Sequence, residues 1–314
     1  MSARQRRGRV VIVSVALAVL TFAAGLVLGS GTVAVPGLAQ RGQDSELRAQ
    51  IDDLTAEKKA LTERLSATQD FDSRISGKVV GGTLAGKSVV LVRTPDADEA
   101  DIESVMDLIG RAGGSVTGTV SLTDEFVEAN SAEKLDSVVN SPIVPAGTQL
   151  DTGLTEGTAQ AGDLLGIVLL NAPDPAAPTV DDAARDTVLA TLRDTGFLRY
   201  GELSGPADTA VVLTGGALPE DAGNRGLSVA RLASGLGRHG SGTVLAGRTG
   251  SGSGVAAVAI ARADPGISGD LSTVDDVDVE AGRITVVLAL QALLDGAQPG
   301  SYGAGPGASA ISPR

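Results

Sequence analysis

The chain has 314 residues, of which 42% are apolar, and it carries a formal net charge of −13 at pH 7. Such an acidic chain repels nucleic acid and anionic lipid and favours cations, which argues against a nucleic-acid partner. It contains no cysteine, so disulfides and thiolate metal ligands are excluded, and packing alone must hold the fold together.

An uncharged apolar run lies close to the N-terminus. Residues Val10–Leu28 carry no charge, and as a helix they cover about 28 Å, roughly the hydrocarbon thickness of a bilayer. Residues 1–9 contain basic side chains and no acid, which places this short segment in the cytoplasm and everything after residue 30 outside. The sequence therefore predicts a single transmembrane anchor at 10–28, in contact with the lipid bilayer. A cleaved signal peptide is the alternative, and it would export the same domain.

A linker is predicted at 29–43, because this stretch contains glycine and proline, and a coiled coil is predicted at 44–70. The coiled coil rests on six residues that recur at alternating spacings of four and three: Leu47, Ile51, Leu54, Lys58, Leu61 and Leu65. A lysine on such a seam lowers stability but can fix register and oligomer number. We expect a homo-oligomer through 44–70; a single amphipathic helix packed on its own domain is the alternative.

The stretch 71–296 alternates short apolar runs with amphipathic segments. Strands are predicted at 88–93, 115–122, 209–216, 242–247 and 255–261. Helices are predicted at 96–112, 124–139, 158–170, 180–195 and 223–236, and 281–294 is either a helix or a strand running into one. This alternation predicts an extracytoplasmic α/β domain with a mostly parallel sheet.

The domain could divide into halves at 71–153 and 154–296, which leaves an internal duplication open, because the strand–helix pattern recurs. Beyond it, the stretch 297–314 is rich in glycine, alanine, serine and proline. This composition predicts a disordered tail.

Two glycine-rich stretches superficially suggest nucleotide binding. Residues 81–88 match the phosphate-loop pattern G-x-x-x-x-G-K-[ST], but that loop must lead into a helix, and here Lys87 and Ser88 lead into a predicted strand. Residues 250–254 precede another predicted strand and are interpreted as a hairpin or flexible loop. The exported domain also lies away from ATP and nicotinamide cofactors. No nucleotide is therefore expected to bind.

Side chains for catalysis or copper binding are scarce. His239 is the single histidine and Met106 the single internal methionine, expected on the buried face of its helix; together they make neither a catalytic triad nor a soft-metal site. Acidic clusters at 96–103 and 275–280 lack calcium-loop spacing, and the first is interpreted as helix capping. No catalytic or cofactor-binding residue is predicted, metal ligands stay unknown, and the protein is not expected to be an enzyme.

Six ordered blocks carry a family resemblance. They are GKSVVLVRTPDA (86–97), TVSLTDEFVEANSAEKLDSVVNS (119–141), QAGDLLGIVLL (160–170), APTVDDAARDTVLATLRDTGF (177–197), VVLTGGAL (211–218) and STVDDVDVEAGRITVVLALQALL (272–294). With the anchor and the heptads in place, the chain resembles the mycobacterial copper transport protein B family of actinobacterial envelope proteins.

The resemblance implies copper ions as the transported species, a role in copper efflux or resistance, and channel formation in the outer membrane. It implies no copper ligand set, and we expect any pore to need several chains gathered by 44–70. The alternative from the residues alone is a non-catalytic, membrane-anchored scaffold that recruits envelope partners through its coiled coil and α/β domain.

Overall fold

The structure, a computed structural model, describes residues 36–172 and 180–313, with side chains described from residue 46 onward except at residue 47. The predicted cytoplasmic segment 1–9 and membrane anchor 10–28 lie outside the described residues. Among the described helices, none combines the length and apolarity needed to cross a bilayer.

The first helix is long and polar. Helix α1 spans Pro36–Val79 and has 44 residues, so it begins inside the stretch predicted as a linker and covers all of 44–70 as continuous helix. The helical part of that prediction is confirmed, whereas pairing with a second helix stays a prediction. The described residues fall into two units, of which one ends at residue 64 and the other begins at residue 65.

Seven strands form a single sheet in the second unit. They are β1 (Ser88–Arg93), β2 (Ser115–Leu122), β3 (Leu198–Tyr200), β4 (Thr209–Thr214), β5 (Thr243–Gly247), β6 (Leu271–Val274) and β7 (Ser301–Tyr302). Their order across the sheet is β3-β2-β1-β4-β5-β6-β7. All neighbouring pairs are parallel except β2 and β3, which are antiparallel. The predicted α/β class with a mostly parallel sheet is confirmed.

Helices connect these strands. They are α2 (Glu99–Arg111), α3 (Asp124–Val127), α4 (Ala132–Val139), α5 (Gly157–Leu169), α6 (Asp182–Asp194), α7 (Arg225–Gly237), α8 (Ala257–Ala263), α9 (Pro265–Ser268) and α10 (Glu280–Leu294). A short 3₁₀ turn at Ala129–Ser131 separates α3 from α4, so the continuous helix predicted at 124–139 is broken. Both proposed halves contribute strands to the same sheet, and their duplication stays a prediction.

Apolar side chains cover both faces of the sheet. In β1, Val90 and Val92 point into one core, which α5 and α7 complete, while Val89 and Leu91 point into the other, which α2 and α10 complete. The strand period of two produces this division, and it explains why the central strands consist of unbroken apolar runs.

Two predicted segments are wrong. The stretch 255–261 contains no strand, and its residues from Ala257 onward belong to helix α8. An apolar run of this length is compatible with a strand or a helix, and its alanines favour the helix. The disordered tail predicted at 297–314 is also wrong for the described residues 297–313. There β7 pairs with β6, and the Gly303 N–H donates to Ala310 O. The short strands β3, β6 and β7 have no counterpart among the predicted ones.

Candidate functional site

The phosphate-loop match lies at the amino end of the sheet. Residues 81–86 form turns and Ser88 opens β1, so the predicted glycine-rich turn before a strand is confirmed. The Ser88 hydroxyl donates to Asp208 Oδ2 at 2.9 Å, and the Ser88 N–H donates to the same oxygen at 2.8 Å. Burial raises the pKa of Asp208, but these donations and one from Asn171 outweigh it, so that the pKa lies below its ordinary value. The loop's serine is thus engaged in joining β1 to β4.

The second glycine-rich stretch, 250–254, follows β5 and leads into α8. Its strand–loop–helix context differs from the predicted hairpin. Ser251 is fully buried, and a side chain at Gly252 would contact Arg262 and Asp275. The loop packs against its own domain, and α8 has seven residues, too short a helix to supply a strong N-terminal dipole.

Ligands of parallel α/β sheets usually bind where the strand order reverses, which here is the carboxyl end of β1 and β4. The Asp96 side chain occupies this position: Oδ1 accepts from the Thr94 hydroxyl at 2.5 Å and Oδ2 from the Gly215 N–H at 3.2 Å. A cavity of about 20 Å³ remains beside it. The usual ligand position of this architecture is therefore filled by the chain's own carboxylate.

A larger cavity, about 280 Å³, opens beside helices α5 and α6. Its walls combine apolar and polar side chains, among them Ile167, Val168, Val180, Asn171, Arg185 and His239. Arg185 is held rigidly, because its Nε donates to Val168 O at 2.9 Å and its Nη1 to Asp182 at 2.5 Å. The position of the single histidine on this wall makes the cavity the candidate functional site.

A buried carboxylate orients the histidine. His239 Nε2 lies 2.6 Å from Asp163 Oδ1, and Asp163 Oδ2 accepts from the Asp151 N–H at 2.7 Å. A carboxylate only accepts hydrogen bonds, so Nε2 is the donor in this contact, and in the neutral imidazole the lone pair is then on Nδ1. Within the described residues no hydrogen bond engages Nδ1. Gly166 leaves room for the imidazole ring, because a Cβ at this position would overlap it.

The sequence analysis does not identify this pair. It treats His239 as a solitary histidine and does not name Asp163, although an acid inside the apolar run 160–170 is a signal of a buried polar partner. The two residues are 76 positions apart in the sequence, so motif spacing does not indicate that they pair. Met106 is 38% exposed, so its predicted place on the buried face of its helix is wrong.

The first acidic cluster caps a helix, as its interpretation predicts, but it also forms ion pairs, and its member Asp101 is buried. Asp98 Oδ1 accepts from the Ala100 N–H at 2.9 Å at the start of α2. That hydrogen bond, with the charge of Arg248, lowers the pKa of Asp98. Burial raises the pKa of Asp101, and pairing with Arg283 at 3.0 Å opposes this effect.

The second acidic cluster holds the C-terminal segment in place. Asp275 and Arg262, each with a side chain 3% exposed, form a buried ion pair. Asp275 accepts from the Ala304 N–H at 3.0 Å, and Arg262 donates to Tyr302 O at 2.6 Å. We call this pair the tail clamp. It satisfies backbone groups of a segment whose composition predicts disorder.

Asp276, beside the clamp, is not satisfied in the same way. Its Oδ1 is buried and has no hydrogen-bond partner. Burial, followed by the charges of Asp275 and Asp278, raises its pKa to about 6. Asp278 differs, because it accepts from the Thr249 N–H and hydroxyl at 2.7 and 2.9 Å.

Metal-binding groups are sparse in the part of the chain that the structure describes. No set of three or more histidine, cysteine, aspartate or glutamate side chains there is arranged to hold a metal ion. His239 offers an imidazole nitrogen and Met106 an exposed thioether, the ligand types that copper accepts. The two residues lie on different elements, His239 after α7 and Met106 on α2. Helix α2 packs on one face of the sheet and α7 on the other, so His239 and Met106 do not meet at one copper centre.

The fold and this site define an α/β domain of the open, mostly parallel class with a cavity lined by a carboxylate-bound histidine. The sequence matches the family described as "Copper transport outer membrane protein, MctB" over residues 5–313. The chain belongs to that family, which is named for copper transport and not for an enzymatic reaction.

Curated relatives match over almost the full length. The Copper transporter MctB of Mycobacterium tuberculosis (strain ATCC 25618 / H37Rv) is 55% identical over 303 residues, 96% of each chain. The protein of the same name from Mycobacterium leprae (strain TN) is 53% identical over 305 residues, 95% of this chain and 96% of the relative. The family expected from the sequence is thereby confirmed.

Proposed function

We propose that the protein contributes to copper efflux and copper homeostasis from the cell envelope, as the membrane-anchored component of an oligomeric channel. The observation that carries the proposal is the extent of the family match, which runs from residue 5 to residue 313. The relatives named for copper transport share 53–55% identity across nearly all of their own length. The match therefore includes the predicted anchor, the helix α1 and the entire α/β domain.

The chemistry of the chain favours passage of copper over storage. With a net charge of −13, the protein attracts cations over long range without fixing them at one point. Tight copper sites use several thiolate, thioether or imidazole ligands, and the described residues offer no such cluster. In this proposal copper is cargo, drawn to an acidic surface and released easily.

We assign a transient copper contact to His239 Nδ1. The supporting geometry is the Asp163 carboxylate, which binds the opposite ring nitrogen in the manner of the partners that orient metal-binding histidines. The Arg185 guanidinium on the same cavity would repel a cation, but Asp182 lies 2.5 Å from it and opposes its charge. A single imidazole with this support suits a passing ion, because one ligand allows fast release.

Total cellular copper tests the proposal. Copper-stressed cells with and without the gene are compared by elemental analysis, with zinc as the control metal. We expect copper to rise selectively in the deletion strain and to fall on complementation with the full chain. A chain lacking 44–69 should fail to complement if an oligomer performs the transport. Unchanged copper in the deletion strain would contradict the proposed function.

A second candidate is a non-catalytic scaffold that recruits envelope partners. One observation that favours it is the set of exposed apolar side chains along α1. A second is that the described residues contain no group of three or more side chains arranged to hold a metal ion. A scaffold whose partner binds only the α/β domain would retain that partner after deletion of 44–69. Cellular copper would then stay the same with or without the gene.

A further inference from the structure

Helix α1 presents a row of exposed apolar side chains. Their exposed fractions are 54% at Ile51, 64% at Leu54, 56% at Leu61 and 53% at Leu65. Lys58 lies between them on the same face and is also exposed. Single exposed leucines are ordinary, but a continuous apolar row along one helix face indicates a surface that a partner covers.

The residue types along the row select the kind of partner. In heptad notation Ile51, Lys58 and Leu65 occupy position a, whereas Leu47, Leu54 and Leu61 occupy position d. Among parallel coiled coils, a β-branched residue such as Ile51 at position a with leucine at position d favours two strands, and a single lysine at a specifies register and oligomer number. A helix carrying this pattern is complementary to itself.

The charge at the centre of the row fits the same arrangement. Position g flanks position a of the neighbouring helix in a parallel pair, so Glu57 at g of one copy would lie beside Lys58 at a of the other. Each lysine then faces an opposite charge from the second copy. In a register shifted by one heptad, Lys58 would instead insert among leucine and isoleucine side chains, where its charge is costly.

We infer that two copies of this chain pair through α1 as a parallel, in-register, two-stranded coiled coil centred on Lys58. The inference specifies the assembly on which the proposed function rests, by fixing its smallest unit as a dimer. In such a pair the N-termini of the two helices lie at the same end of the coiled coil. This arrangement agrees with the predicted membrane anchor that precedes α1 in each copy. The pairing of the two helices is measured without copper. A negative result would therefore contradict the dimer without contradicting the proposed role in copper efflux.

The absence of cysteine from the chain allows a direct test. Single variants Leu54→Cys and Leu61→Cys are prepared in the full chain in detergent and oxidised with diamide, a metal-free thiol oxidant. In a parallel, in-register pair each position d meets its own copy, so both variants should form disulfide-linked dimers. Ala56→Cys, at position f on the outer face, is the matched control and should remain largely monomeric on a non-reducing gel.

An antiparallel pair gives the opposite pattern. There a position a meets a position d, so neither single variant cross-links to itself, and a mixture of Leu54→Cys with Leu65→Cys becomes linked in one of the two antiparallel registers. Cross-linking of that mixture only between the two different variants would overturn the parallel arrangement. Absence of cross-linking at both 54 and 61 would overturn the parallel, in-register dimer.

Light scattering gives a second readout that needs no cysteine. The unmodified chain should show twice its mass of 31.3 kDa after subtraction of detergent. The double variant Leu54→Asp/Leu61→Asp should show the single mass, whereas Ala56→Asp should keep the double mass. An unchanged far-UV circular dichroism spectrum verifies that each variant is folded. A single mass for the unmodified chain would contradict the inference.

Discussion

The carboxyl of Asp276 provides a prediction whose size follows from the structure. Its pKa is raised from 3.8 to about 6 by burial and by the neighbouring charges of Asp275 and Asp278, and its Oδ1 has no hydrogen-bond partner. A carboxyl with a raised folded-state pKa contributes stability below pH 3.8, and this contribution is lost as the pH rises through about 6. At neutral pH the ionised Asp276 therefore destabilises the fold.

The substitution Asp276→Asn keeps the shape and removes the charge. At ~1.4 kcal/mol per pKa unit, the two pKa values set an upper limit of about 3 kcal/mol. Partial access of water to Asp276 screens the effect, and we expect a gain of about 1–2 kcal/mol at pH 7.5. At pH 4.5 the natural carboxyl is mostly protonated in the folded protein but still largely ionised in the unfolded chain, so the difference between variant and natural chain should fall to about a third of its value at pH 7.5.

Urea unfolding of the full chain in detergent measures this difference at both pH values. Circular dichroism is the suitable signal, because the sequence has no tryptophan. Asp295→Asn, a change at an exposed carboxylate, is the control and should alter stability little at either pH. A gain for Asp276→Asn that is equal at pH 4.5 and 7.5, or a loss at pH 7.5, would refute the reasoning.

Three further predictions concern the tail clamp and the cavity. Arg262→Met leaves Asp275 buried without its cation and should cost about 3–5 kcal/mol of unfolding free energy; the segment 301–313 should become sensitive to proteases, and adding Asp275→Asn should recover part of the stability. Gly166→Ala crowds the imidazole of His239 and should lower the free energy of unfolding by about 1–3 kcal/mol. An unchanged melting temperature would contradict the close contact between Gly166 and this imidazole. In calorimetric titration with Cu²⁺, His239→Gln should remove the tightest binding step and Asp163→Asn should weaken it about tenfold, while equal titration curves would exclude a contact at the imidazole.

The fold class could be predicted because the central strands are apolar on both faces. Strands β1 and β4 bury residues toward two separate cores, and only a sheet covered on both sides produces such unbroken runs. The short strands could not be predicted in this way. β3, β6 and β7 contain three, four and two residues, too few for a period of two to be recognised.

The C-terminal segment shows the limit of composition as a guide. Its glycine and proline content is typical of disorder, yet the side chains that order it lie elsewhere in the sequence. Arg262 reaches Tyr302 O across 40 residues and Pro306 O across 44. An arginine at the end of the apolar run 255–261 was the available signal, since a buried cation requires buried acceptors.

The candidate site was predictable only in its parts. The sequence identifies His239 as the single imidazole and shows an acid at Asp163 inside an apolar helix. Their contact depends on the packing of α5 against α7, and on Gly166 and Gly162, which allow close approach between these helices. Packing of this kind joins segments remote in sequence, so spacing within one segment does not reveal it.

The rate of copper efflux from loaded cells tests the central claim most directly. Cells lacking the gene are loaded with copper and moved to copper-free medium, and retained copper and zinc are followed by elemental analysis over time. The account predicts that the full chain restores faster loss of copper than the deletion strain shows, with no change in zinc. Equal rates of copper loss with and without the full chain would contradict it.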